Sequence, residues 1–277
     1  MMWKTLPRSK TTENIAYYKT GKGPAILMIH GVGLRLESWG PQIQALSKEH
    51  TVIAIDLPGH GDSVELNPTP SDIDSYTHQI KLFVDEVISD TCIVIGHSLG
   101  ALIAIRFAHL YQSNCDAIVA LNCIHQRTEG AMHAVQLRAK ELATEGPKNI
   151  VSDTLSRWFG ESSSDRNLEL AGICQQWLDD TNIKGYVDAY NIFANENGIP
   201  EKILRMNNLP IAFITGTLDS NSTPLMSRDM AKISPLGTAK IITGAGHMIQ
   251  MTHTKEVNKI LRSFALGIRS QYNEIVR

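Results

Sequence analysis

Thr91-Cys92-Ile93-Val94-Ile95-Gly96-His97-Ser98-Leu99-Gly100-Ala101-Leu102-Ile103-Ala104-Ile105-Arg106-Phe107-Ala108 passes from one local structure to another without a gap. Cys92 to Ile95 is a short apolar, β-branched run, which predicts a strand. Ala101 to Ala108 has helical character, and Gly96-His97-Ser98-Leu99-Gly100 is all that joins the two. A Gly-x-Ser-x-Gly turn between a strand and a helix is the setting in which a serine is held on a strained backbone with its hydroxyl exposed. Glycines two residues to either side let strand and helix approach closely, because neither carries a Cβ. Ser98 is therefore a candidate nucleophile.

The flanking segments repeat the pattern. Ala25-Ile26-Leu27-Met28-Ile29-His30 and Thr51-Val52-Ile53-Ala54-Ile55-Asp56 are continuous apolar runs, as expected of parallel strands covered on both faces. Ile15 to Lys19 predicts a short strand before them. Ser38 to Leu46 and Tyr76 to Ile88 predict helices between the strands, and Ala117 to Asn122 predicts the strand that follows. Alternation of strand and helix implies a doubly wound, mostly parallel sheet with helices on both faces.

From His125 to Met206 the alternation stops. Ala131 to Glu145, Ile150 to Phe159, Leu168 to Leu178 and Tyr186 to Ala194 carry helical periodicity with no strand between them. Strands resume at Ile211 to Thr215 and Ala239 to Thr243, with helices expected over Pro224 to Ile233 and Thr254 to Leu266. The division expected is a core of residues 1–124 and 207–277, with 125–206 as a helical cap.

Composition narrows the function classes. The 277 residues are 43% hydrophobic and 19% charged with a net charge of −2, which gives no electrostatic reason to bind nucleic acid or an anionic membrane. No apolar run reaches membrane-spanning length, and the N-terminus lacks the apolar core of a signal peptide. A cytoplasmic protein, monomer or homodimer, is the expectation. Cys92, Cys115, Cys123 and Cys174 have neither paired nor metal-ligand spacing and are read as free thiols. No metal and no cofactor is expected.

In open parallel sheets ligands collect beyond the carboxyl ends of the strands. The polar residues there are His30, Asp56, Ser98, Asn122, Asp219 and His247. A serine hydroxyl needs a base within reach, and an imidazole accepts and returns a proton near neutral pH. His247, in Gly244-Ala245-Gly246-His247 after the last strand, fits that role. Asp219, after the preceding strand, would fix its tautomer and stabilise the imidazolium. The order Ser, Asp, His is that of hydrolases built on the nucleophile elbow. Two N–H groups should hold the oxyanion, those of Leu99 and of Val32 in the Gly31-Val32-Gly33 loop. His30 and Asp56 are read as loop architecture, and His97 as a spacer. His125, Met248 and Trp158 are the substrate-binding candidates. Met132, Trp158, Phe159, Trp177, Tyr186, Tyr190 and Phe193 recur at helical spacings and are read mostly as packing between cap and sheet. No Arg or Lys marks an acidic substrate, and a small or medium, rather neutral acyl substrate is expected.

Taken together, His30-Gly31-Val32-Gly33, Asp56-Leu57-Pro58-Gly59-His60-Gly61-Asp62-Ser63, Gly96-His97-Ser98-Leu99-Gly100, Gly216-Thr217-Leu218-Asp219 and Gly246-His247 resemble the motifs of the α/β-hydrolase fold family, in family order over residues 24–250. Within it the chain is similar to small capped serine esterases and lactonases, including enol-lactonases. Ser98 stands where epoxide hydrolases and haloalkane dehalogenases carry Asp. Met248 stands where the carbon–carbon bond hydrolases typically carry Trp. The resemblance implies hydrolysis of a carboxylic ester or lactone through an acyl-enzyme on Ser98. An acyltransferase or cofactor-free perhydrolase with the same residues is one alternative; a ligand receptor with little turnover is the other.

Overall fold

The computed structural model describes residues 3–70, 72–146, 151–160 and 164–275. The chain opens with β1 (Ser9–Lys10), β2 (Ala16–Thr20) and β3 (Ala25–Ile29), then α1 (Gly40–Leu46), β4 (Thr51–Ile55), α2 (Ile73–Val87) and β5 (Cys92–His97). It continues through α3 (Leu99–Leu110) and β6 (Cys115–Leu121). Helices then follow one another with no strand between them among the described residues: α4 (Glu129–Glu145), α5 (Val151–Phe159), α6 (Asp165–Asp179), α7 (Ile183–Asn195) and α8 (Glu201–Met206). β7 (Ile211–Gly216), α9 (Pro224–Ile233), β8 (Gly237–Ile242), α10 (Ile249–Thr252) and α11 (Thr254–Ile275) complete it.

The strands form one sheet in the order β1-β2-β4-β3-β5-β6-β7-β8. β1 and β2 pair antiparallel at one edge, and every pair from β4 to β8 is parallel. Ile29 lies beside Gly96, His97 beside Leu121, and Gly216 beside Ile242. These registers bring the loops after β3, β5, β7 and β8 to a common end of the sheet.

The period of two along each strand feeds two cores. Leu27, Ile29, Ile53, Ile55 and Val94 pack with Phe83 and Val84 of α2 and with α3. Ile26, Met28, Val52, Ala54, Ile93 and Ile95 face the other way, onto Ile43 and Leu46 of α1 and Val257 and Leu261 of α11. Both sets are buried, which is why these strands read as unbroken apolar runs. Each such Ile or Leu stabilises the fold by roughly 1.5–3 kcal/mol.

The inserted helices begin before their apolar periodicity does. Thr128, Ser164 and Asn182 cap α4, α6 and α7, each side-chain oxygen accepting from the N–H three residues on. These polar first turns place the starts at Glu129, Asp165 and Ile183, ahead of the Ala131, Leu168 and Tyr186 read from periodicity. The expected start of α5 at Ile150 lies outside the described residues. α8 went unread because six residues after Pro200 are too few to show a period.

One seam joins the insertion to the core. Gly185 of α7 lies against Gly59, in the loop after β4, so closely that a methyl group on either would fall well inside the other's backbone. The N-terminal segment is fixed by charge. Arg8 donates from Nε to Asp56 at 2.7 Å and bonds both oxygens of Glu37 at 2.7 Å, with all three side chains almost wholly buried. Asp56 also accepts from the N–H groups of Leu36 and Asp62, tying three loops together. Burial pushes the Asp56 carboxyl up, and Arg8 opposes it. Arg8→Ala removes the buried cation that bonds Asp56 and leaves Glu37 with Arg35 as its ion-pair partner, and is expected to cost about 3–5 kcal/mol, read as a lowered urea midpoint at unchanged slope.

Candidate active site

The turn after β5 has the geometry expected of a nucleophile elbow. Ser98 sits at φ 55°, ψ −115°, the left-handed side of the map that few side chains occupy. The two glycines are there for space. A methyl group on Gly96 would strike the Gly100 carbonyl, and one on Gly100 would strike the carbonyl of Ile29. Leu99 is the first residue of α3, so its N–H has no acceptor within the helix. That N–H and the positive end of the helix are both placed to meet developing negative charge.

His247 follows β8, and its Nδ1–H donates to Asp219 Oδ2 at 2.8 Å. Asp219 is held by hydrogen bonds on both oxygens. Its Oδ2 also accepts from Asn122 Nδ2 at 2.7 Å and Ser222 Oγ at 2.5 Å. Its Oδ1 accepts from the N–H groups of Asn221 at 2.9 Å and Ser222 at 3.2 Å. Burial alone would raise this carboxyl, but His247 and the hydrogen bonds from Ser222 and Asn122 outweigh it and hold Asp219 well below the carboxylate range. It is an anion throughout the working pH range. Asn122, which stands after β6, serves Asp219 as a donor.

Two further histidines hold this frame. His97 Nε2–H donates to the carbonyl of His247 at 2.9 Å, fixing the loop that carries the imidazole. Burial, reinforced by the neighbouring His247, lowers His97 to about 3, so it stays neutral and keeps that proton. Nothing in the sequence marks this positioning role, since it depends on β5 lying near the loop after β8. His30 accepts from the Leu57 N–H at 2.9 Å and donates from Nδ1 to the Gly31 carbonyl at 2.7 Å. It pins the loop that contains Val32, as read from the sequence.

Gly31, Val32, Ser98 and His247 line one cavity of about 240 Å³. Its far wall comes from the insertion: Ala131, Val135 and Arg138 of α4, Thr154, Arg157 and Trp158 of α5, and Tyr186, Tyr190 and Phe193 of α7. In α4 and α7 the residues are spaced at three or four, and in α5 Arg157 and Trp158 both lie three or four residues after Thr154, as one helix face requires. Trp158 lies on the cavity wall. So do Tyr186, Tyr190 and Phe193, which the sequence read as packing; they do both.

Two of the substrate-binding candidates do not line the cavity. The Met248 side chain is fully buried, clustered with Leu34, Cys174 and Met251 behind the lining residues. His125 bridges to Gly198 and lines a separate surface depression with Glu201 and Asp229. The expected neutral wall is also absent. Arg127, Arg138 and Arg157 all line the cavity. They are far apart in sequence and converge only through the packing of α4, α5 and α7. The one available signal was an arginine on the otherwise apolar Ala131-Ala134-Val135 face of α4.

Among the described residues no group of three or more His, Cys, Asp or Glu is placed to hold a metal ion. All four cysteines are buried free thiols. No helix among these residues is long and apolar enough to cross a membrane.

Residues 26–260 match the sequence model of the Alpha/beta hydrolase family. The (E)-2-((N-methylformamido)methylene)succinate hydrolase of Acinetobacter baylyi is 33% identical, over 95% of this chain and 98% of its own. The 3-oxoadipate enol-lactonase 1 of the same organism is 25% identical, over 89% and 90%. Among solved structures, a thermophilic esterase from Thermogutta terrifontis superimposes with a TM-score of 0.85 at 22% identity, covering 95% of this chain and 99% of that one. An enol-lactonase from Burkholderia xenovorans gives 0.82 at 21% identity, covering 94% and 100%.

Proposed function

We propose that this chain, which belongs to the alpha/beta hydrolase family, is a serine hydrolase that cleaves a carboxylic ester or lactone through an acyl-enzyme on Ser98. The observation that carries the reading is one cavity wall shared by a serine on a left-handed turn and an imidazole held by a buried carboxylate. With its Nδ1 proton given to Asp219, His247 has Nε2 free of a proton and able to accept one from Ser98 Oγ. The alkoxide then adds to the scissile carbonyl. The N–H groups of Val32 and Leu99 take the oxyanion, and collapse expels the alcohol, which leaves with the proton from His247. In a lactone the alcohol stays attached to the acyl group as its far end. Water attacks the acyl-serine next, with His247 again as base, and the carboxylic acid leaves. Residues 125–206 serve as the cap that encloses the reacting atoms. The relatives named as a succinate-derivative hydrolase and an enol-lactonase support hydrolysis as the reaction class.

An electrophilic fluorophosphonate tests the nucleophile directly. Treatment is expected to give a single stoichiometric adduct, mapped by peptide mass spectrometry to Ser98, with loss of activity in parallel. An adduct on Ser220, which also borders the cavity, or no adduct with activity intact, overturns the assignment.

A further inference from the structure

We propose that Arg138 and Arg157, with Arg127 beside them, bind a carboxylate that the acyl substrate carries away from its scissile carbonyl. The inference rests on the serine hydrolase reading for the position of that carbonyl. The cavity has two chemically different ends. Ser98, His247 and the Val32 loop occupy the sheet end, and the three guanidinium groups are on the inserted helices and the loop before them. Among the described residues no Asp or Glu lines the cavity. None of the three arginines forms an ion pair among the described residues.

Their hydrogen bonds leave donors unused. Arg138 is engaged only through Nε among the described residues, at 3.4 Å from Tyr190 Oη. Arg157 donates from Nη2 to Thr154 Oγ1 at 3.0 Å. Arg127 is the most committed, with Nη1 given to the carbonyls of Phe193 and Glu196 and its guanidinium stacked 4.4 Å from the Phe193 ring centre. Both Nη groups of Arg138, and Nε and Nη1 of Arg157, hold no partner among the described residues.

Such an arrangement is costly unless something anionic completes it. Each arginine is half-buried, and a guanidinium cannot shed its proton to escape. Burial lowers both Arg127 and Arg157, and the charge of Arg138 adds to the depression of each. The acids that act on them, Glu196 and Asp153, do so at a distance and do not reach the wall. A planar carboxylate accepts two parallel N–H bonds from a guanidinium fork. The class of substrate is then an ester or lactone of a small dicarboxylic acid, with one carboxyl acylated to Ser98 and the other held by the cap.

Monomethyl glutarate and methyl valerate, matched in chain length and different in terminal charge, provide the test. Wild-type protein is expected to favour the charged ester in kcat/KM, and added salt should reduce that preference. In Arg138→Gln/Arg157→Gln the ratio of the two kcat/KM values should fall by about 10- to 100-fold. The doubly substituted Lys variant should fall between, which separates lost charge from lost folding. As a readout without turnover, glutarate should bind Ser98→Ala protein in calorimetry and lose that binding when the arginines are removed. A wild-type preference for methyl valerate, a ratio indifferent to the arginines, or sulfate binding as tightly as glutarate overturns the proposal and leaves Ser98 untouched. Turnover reduced by less than about tenfold in Ser98→Ala, with the ratio still governed by the arginines, overturns the nucleophile and leaves the carboxylate site standing.

Discussion

Ser98→Ala is expected to lower kcat on an ester or lactone by on the order of 10⁵- to 10⁶-fold. The size of the loss follows from what remains. The substitution removes one oxygen atom from a turn whose backbone is set by Gly96 and Gly100 packing against the neighbouring carbonyls, so the backbone at this position keeps its place. The Val32 and Leu99 N–H groups, the cavity and the His247–Asp219 pair persist. Those groups alone sustain roughly 10³- to 10⁴-fold over water, so a trace of turnover is compatible with the mechanism. Single-turnover rates on purified variant, freed of wild-type contamination, are the measurement. A loss of less than about tenfold would mean that His247 activates water directly and that no acyl-serine forms.

The second large effect is expected from Asp219→Asn, on the order of 10⁴-fold in kcat. The surroundings dictate which way the new amide must face. The N–H groups of Asn221 and Ser222 both point at Oδ1, and they require an acceptor there. The NH₂ must then take the place of Oδ2, turned toward His247 Nδ1. An N–H donor at that point forces Nδ1 to be the acceptor, which moves the imidazole proton to Nε2 and faces Ser98 with a donor where a base is needed. The fold has a way to absorb the change. Asn122 Oδ1 is buried without a partner among the described residues, and a flip of the Asn122 amide presents that oxygen to the new NH₂. The variant should therefore melt close to the parent while losing turnover. A large drop in melting temperature with near-normal kcat would contradict both halves of this account.

Much of the sheet and of the candidate site at its edge was legible in the sequence because burial on both faces leaves a clear record. Strands such as Ile26 to Ile29 and Ile93 to Ile95 have no solvent side to interrupt them. The glycines around Ser98 are required by backbone-to-backbone approach, and so they mark the elbow without any knowledge of its neighbours. Asp219 and His247 stand out as candidates in the sequence because strand ends are easy to place. What failed depended on direction or on packing between distant segments. Met248 adjoins His247 in sequence but turns into a buried cluster, and His125 is carried outward by its bridge to Gly198. The three arginines are separate surface-like residues until α4, α5 and α7 are set side by side. His97 was legible as part of a motif, yet its hold on the His247 carbonyl required the loop after β8 to be placed above β5.

The meeting of Gly59 with Gly185 bears on how such a molecule can be re-engineered. Because Ser98, Asp219 and His247 lie outside residues 125–206 and Arg127, Arg138 and Arg157 lie within them, exchanging 125–206 for the matching stretch of a related hydrolase is a natural route to new selectivity. The two glycines set the compatibility rule for that graft. Any donor segment with a side chain at the position of Gly185 brings a carbon into the Gly59 carbonyl, and the transplant must tilt off the host to relieve it. Chimaeras should therefore divide by a single residue at the junction, however well the rest of the donor helix matches.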